Sequence, residues 1–127
     1  RAKHIVIATG AHPQIPAIPG GELGGSSDDV FAWEELPESV AILGAGYIAV
    51  ELAGVLHTLG VQTDLFVRRE RPLRGFYSYI VESLVQEMEN TGLNLHTHKV
   101  PVKLEETEQG ITNHFEDGST HTASQVI

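Results

Sequence analysis

The spacing of apolar and polar positions changes character at a few points along the chain, and those points mark its elements. Val40 to Leu43 is a continuous apolar run, the pattern of a strand buried in a parallel sheet. From Tyr47 to Leu59 the apolar residues take helical spacing, with Ile48, Leu52, Val55, Leu56 and Leu59 as the expected buried stripe and Gly60 as the stop. Val61 to Val67 reads as a second strand. Tyr79 to Thr91 reads as an amphipathic helix with Ile80, Leu84, Val85 and Met88 on one face, ended by Gly92, and Leu93 to Thr97 as a third strand. The pattern then shortens. Val102–Glu106, Ile111–Glu116 and Ser119–Ile127 are expected strands, joined by turns at Gln109-Gly110 and Asp117-Gly118, the second a strong hairpin signal. The whole predicts an α/β fold: a Rossmann-like βαβαβ parallel sheet with helices on both faces, followed by an antiparallel three-stranded β-meander.

Upstream of Val40 the reading is less regular. Lys3 to Thr9 predicts a buried strand ending at Gly10. Pro13, Pro16 and Pro19 with Gly20, Gly21, Gly24 and Gly25 then predict a loop to Asp29, without periodicity to bury. A loop of that length points to a crossing between domains or a functional segment. Val30 to Leu36 predicts a helical turn closed by Pro37. The chain begins and stops in expected strands, so it reads as one domain, 1–127, of a longer protein: 1–10 an edge strand of a neighbouring domain and 11–29 a linker.

The 127 residues carry a net charge of −9, which argues against a general nucleic-acid or anionic-membrane surface. No apolar run reaches membrane-spanning length, the start does not resemble a signal peptide, and the absence of cysteine fits an expected cytoplasmic location. With no cysteine, the chain itself cannot supply thiol catalysis, disulfide exchange or a Cys-type zinc site.

The candidate chemistry lies between the first strand and the first helix. Gly44, Gly46 and Ala49 form a G-x-G-x-x-A turn, in the strand–turn–helix order that a dinucleotide pyrophosphate needs. Gly44 permits the tight turn, Gly46 lets backbone approach the phosphates, and Ala49 keeps the helix close to the strand. Free N–H groups at the helix start then face the anion. Tyr47 and Ile48, at the start of the helix, belong to the same expected cofactor-binding set. Twenty-one residues after Gly46, where an acidic side chain would accept a ribose 2′-hydroxyl, stands Val67, followed by Arg68, Arg69, Arg71 and Arg74. Half of the eight basic residues fall in seven positions of an acidic chain, and arginine suits a 2′-phosphate. A basic loop of no function is the plain alternative. Of seven histidines, a two-residue Asp117-Gly118 turn would set His114 opposite His121, while His96 and His98 would share a strand face. No set is complete enough for a metal site, and exposed polar pairs are expected instead.

Gly44 to Gly54 and Arg68 to Arg74 together resemble the flavin-dependent pyridine nucleotide–disulfide oxidoreductases, and glutathione reductases most among them. Ile5-Val-Ile-Ala-Thr-Gly10 looks like the family's Ala-Thr-Gly segment. The resemblance implies an NADP(H)-binding domain, with Arg68 and Arg74 on the 2′-phosphate, Arg69 taking part, Tyr47 as a lid near the flavin and Glu51 near the nicotinamide. It also implies partners: the flavin and dimerisation domains of a homodimeric parent enzyme that reduces a disulfide. The family's FAD motif, Cys-x-x-x-x-Cys pair and catalytic His-x-x-x-x-Glu do not occur here. The chain is therefore expected to bind no FAD, to carry no catalytic residue of its own and to be inactive alone, with a monomer possible. A stand-alone dinucleotide-binding or interaction module is the alternative.

Overall fold

Four parallel strands hold the chain together. The structure, a computed structural model, describes residues 1–127. In chain order it has a 3₁₀ turn at Gly21–Leu23, α1 (Ser27–Val30), β1 (Ser39–Leu43), α2 (Tyr47–Thr58), β2 (Gln62–Phe66), α3 (Ser78–Thr91), β3 (Asn94–His96), β4 (Pro101–Thr107), β5 (Gly110–Phe115), β6 (Thr120–Ala123) and β7 (Gln125–Val126). The parallel sheet runs β3-β2-β1-β7, and the antiparallel meander runs β4-β5-β6. β1 and β2 pair from Ser39↔Gln62 to Leu43↔Phe66, in the parallel sense that the sequence predicts.

Period two divides the two central strands cleanly. Val40, Ile42, Leu65 and Val67 join Val50, Leu52, Ala53 and Leu56 of α2 and Met88 of α3 in one apolar cluster. Ala41 and Phe66 face the other way and meet Leu104, Phe115, Ala123 and Val126 in a second. Both helices thus lie on one face and the meander covers the other, which corrects the expectation of helices on both faces. The reason is handedness. β1→α2→β2→α3→β3 steps across the sheet in one direction throughout, and right-handed crossovers in one direction put every helix on the same side.

Other corrections follow from packing. Ile48, Val55 and Leu59 are exposed, because α2 turns Val50, Leu52, Ala53 and Leu56 to the sheet instead. Ala53, fully buried, lets the helix axis come close. On α3 the stripe starts at Val81, which is 1% exposed, and Ile80 points to solvent. Residues 1–15 make no backbone hydrogen bond, and Ile5, Val6 and Ile7 are 80–85% exposed, so the expected strand at Lys3–Thr9 is not one within this chain. An apolar run becomes a strand only where a neighbour takes its N–H and C=O groups, and β2 and β7 already flank β1.

The glycine-rich segment 10–29 is more ordered than its composition implies. Pro19 C=O accepts from Leu104 N–H, and Gly25 N–H donates to Val126 C=O. Ser26 caps α1 through a capping box with Asp29, so the helical turn lies upstream of the expected Val30–Leu36. The last expected strand divides at Ser124, whose N–H donates to the Ser39 hydroxyl (2.9 Å). Beyond it β7 leaves the meander and pairs with β1. No helix is long and apolar enough to cross a membrane.

Candidate functional site

The glycine turn, the arginine loop and the β3–β4 connection meet at the carboxyl ends of β1, β2 and β3. Gly44 N–H donates to Phe66 C=O (3.1 Å), and Leu73 N–H donates to Ala45 C=O (2.8 Å). The arginine loop in turn takes His98 N–H on Arg69 C=O (3.1 Å), and Lys99 N–H reaches Val67 C=O (3.0 Å). Four backbone bonds therefore fix three segments that are distant in sequence. Leu73 and His98 adopt positive φ, 51° and 57°, at the two places where these segments bend toward each other.

Each small residue of the turn has a distinct steric reason. A Cβ on Gly44 would stand 2.9 Å from the Ala49 Cβ, closer than carbon atoms pack, so strand end and helix start touch there. A Cβ on Gly46 would meet nothing within 4 Å. Gly46 is the N-cap of α2, and the first intrahelical bond is Val50 N–H to Gly46 C=O, leaving the amides of Tyr47, Ile48 and Ala49 without intrahelical acceptors. No side chain caps them. That open approach and those donors fit a dinucleotide pyrophosphate.

Two clefts flank the turn. The larger, about 750 Å³, is lined by Leu43, Gly44, Ala45, Phe66, Arg68 and Lys99, with residues 12–18 as its far wall. The smaller, about 290 Å³, is lined by Gly46, Ile48, Ala49 and Leu52 together with Ser26 and Ile127. Of the expected site residues, Gly44 and Arg68 thus line the first cleft, and Gly46, Ile48 and Ala49 the second. Tyr47, 59% exposed, lines neither, and the same holds for the exposed Glu51, Arg69 and Arg74. None of the four arginines has a carboxylate within ion-pair distance; every ion pair in the chain is made by a lysine or a histidine. The Glu70 carboxyl is nonetheless held below its ordinary value, by its own backbone N–H first and then by the charges of Arg74, Arg71 and His98. Lys99 is a site residue that sequence reasoning missed. It lies 31 positions from Arg68 in the sequence and reaches the cleft only through its bond to Val67.

The histidines correct two expectations. Gly118 N–H donates to Phe115 C=O (2.9 Å) and Phe115 N–H to Ser119 C=O (3.0 Å), with Gly118 at φ 82°. The connection is thus the three residues Glu116-Asp117-Gly118, with glycine supplying the left-handed position. The register shifts by one, so Asn113 opposes His121, and His114 opposes Thr120. His98 lies outside β3. The exposed pairs become a half-buried cluster: His96 Nε2 and His121 Nε2 lie 2.7 and 3.4 Å from the carboxylate of Asp64, whose side chain is 6% exposed. His96 stacks on Phe66 at 4.5 Å. Burial pushes the Asp64 carboxyl up, but hydrogen bonds from His121 and His96 outweigh it, and the group titrates below its ordinary value. His114 pairs instead with Glu105 (3.0 Å). No group of three or more His, Cys, Asp or Glu side chains is arranged to hold a metal ion.

A parallel βαβαβ sheet with a small-residue turn opening onto an uncapped helix start is the architecture on which dinucleotide-binding folds are built. The chain belongs to the pyridine nucleotide-disulphide oxidoreductases: that family's model matches residues 1–127. It is 43% identical to glutathione reductase of Schizosaccharomyces pombe over 129 residues, covering 99% of this chain and 28% of that one. Among solved structures, the HOCl-induced flavoprotein disulfide reductase RclA from Escherichia coli superposes with a TM-score of 0.85 at 22% identity, over 94% of this chain and 28% of that one. The water-forming NADH oxidase from Lactobacillus brevis, bound to NADH, gives 0.81 at 18% identity, with coverages of 94% and 28%. These two likenesses concern the fold. The chain spans little more than a quarter of the length of each of these relatives.

Proposed function

We propose that this chain is the NADP(H)-binding domain of a glutathione-reductase-like, FAD-dependent disulfide oxidoreductase. The observation that carries the reading is the pairing of the glycine turn with a loop of unpaired arginines. Ala45 and Leu73 are hydrogen-bonded across the two segments, and Arg68 lines the same cleft as Gly44. An anion in that cleft meets the guanidinium of Arg68, which no carboxylate has already neutralised. The nearest acid of the loop, Glu70, is the exception that faces Arg74 and Arg71.

In this reading the amides of Tyr47, Ile48 and Ala49 donate to the pyrophosphate, and Gly46 keeps the approach open. Arg68 and Arg74 take the 2′-phosphate, with Arg69 alongside. Tyr47 is free to move at the nicotinamide end, and Glu51, one turn into α2, stands on the same side. When bound, NADPH would supply a hydride to the flavin of the parent enzyme for the reduction of a disulfide. The flavin and dimerisation domains are the partners, in a homodimer. This chain's share of the work is binding and orientation.

Calorimetric titration with NADP⁺ and NAD⁺ tests the reading. Each charge-assisted contact contributes roughly 1.5–3 kcal/mol gross, and after screening two of them favour the phosphate by about tenfold or more. Arg68→Met/Arg74→Leu should lose that preference. A double variant that keeps it overturns the assignment of the arginines.

A further inference from the structure

The larger cleft has one cation besides Arg68. Lys99 lines it from the β3–β4 connection, and no carboxylate is among the lining residues, although the chain as a whole carries −9. Lys99 N–H donates to the carbonyl of Val67, the residue before Arg68, so both cations rise from adjacent backbone.

The Lys99 ammonium is held in place rather than free. It donates to Asp117 Oδ2 (2.6 Å) and to Ser119 Oγ (2.7 Å), and it lies 5.6 Å from the centre of the Phe115 ring. Ser119 in turn donates its hydroxyl (2.6 Å) and its N–H (2.9 Å) to Asp117 Oδ1. An ammonium has three donors, so two are used and one remains. A lysine fixed this way has already lost the rotamer freedom that an ordinary surface lysine gives up on binding.

Resting on the reading of the cleft as an NADP(H) site, we infer that Lys99 is a specificity residue for it, giving its third donor to the phosphate-bearing ribose beside Arg68. Lys99 then does two things at once. It clamps the β5–β6 turn through Asp117, and it offers the clamped charge to the ligand. The clamp alone predicts that losing either partner has the same consequence, whereas the ligand role separates them.

The test compares NADP⁺ and NAD⁺ dissociation constants for the 127-residue chain and four variants by calorimetry, with urea midpoints as the check on folding. Lys99→Met should cut the preference for NADP⁺ by about five- to tenfold, the scale of one charge-assisted contact. Asp117→Asn, which loosens the clamp and keeps the lysine, should retain the wild-type preference, and Lys99→Arg should retain most of it. Should Lys99→Met disturb the meander, Lys99→Gln keeps a donor for Asp117 and removes only the charge. An unchanged preference in Lys99→Met or Lys99→Gln overturns the inference while leaving the NADP(H) reading intact. An equal loss in Asp117→Asn also overturns it, because Lys99 would then act only as a clamp. Wild-type protein that binds neither nucleotide overturns the underlying reading, and the inference with it.

Discussion

Gly44 and Ala49 are expected to be coupled through one missing methyl group. In Gly44→Ala the new Cβ would sit 2.9 Å from the Ala49 Cβ, where unstrained carbon atoms keep about 3.5–4.0 Å, so β1 and α2 must move apart. Overpacking of that kind costs about 1–3 kcal/mol. The left-handed region is not involved at Gly44, so replacing it also restricts the unfolded chain, which recovers about 0.4–1 kcal/mol. A net loss of up to about 2.6 kcal/mol remains. Ala49→Gly alone costs up to about 1 kcal/mol through helix propensity. The double variant removes the opposing methyl, so its loss should fall short of the sum of the two by about 1 kcal/mol or more. Urea denaturation of the four proteins gives the cycle directly. Losses that add to within about 0.5 kcal/mol would refute the steric reasoning, since independent sites behave that way.

Gly46→Ala should behave oppositely: its methyl meets nothing in the protein, so stability changes by less than about 1 kcal/mol while NADP(H) binds about tenfold more weakly; equal binding in titrations would remove Gly46 from the phosphate site. The Asp64 carboxyl, lowered in the folded chain, contributes stability that is present above its ordinary value of 3.8 and is lost as pH falls through the lower folded value. Asp64→Asn should therefore flatten the acid limb of a pH-stability curve, and an unaltered limb would show that the histidine contacts do not form. Leu56→Ala, at a residue 2% exposed between α2 and the sheet, should cost about 2–5 kcal/mol in urea unfolding, and a loss below 1 kcal/mol would place α2 elsewhere. Purified chain should carry no flavin absorbance and should not oxidise NADPH with glutathione disulfide; stoichiometric flavin or turnover above the buffer rate would contradict the division of labour.

What the sequence makes legible is what local sterics control. Gly44, Gly46 and Ala49 announce the turn because strand end, open helix start and helix contact are each built from a small residue within six positions. The arginine cluster stands out because charge is counted without knowing the fold. Helix faces are harder: an apolar residue at every candidate position leaves the stripe ambiguous by one place, hence Ile80 expected and Val81 buried. The hairpin was recognisable and its register was not, since Asp-Gly serves both two- and three-residue connections, and one residue decides whether His121 meets His114 or Asp64. Lys99 and the Asp64 cluster depend on which strands become neighbours. No periodicity encodes that.

The central claim is that a dinucleotide lies across the carboxyl ends of β1 and β2, over the glycine turn and against the arginine loop. Backbone amide chemical shifts of labelled protein titrated with NADP⁺ test it most directly. The largest changes should fall on Gly44 to Ala49 and on Arg68 to Arg74, with Lys99 following, and NAD⁺ should reproduce the first set while moving the second far less. Changes centred instead on the opposite end of the sheet, around His57, Gly60 and Asn94, or none at all at saturating NADP⁺, would contradict the account.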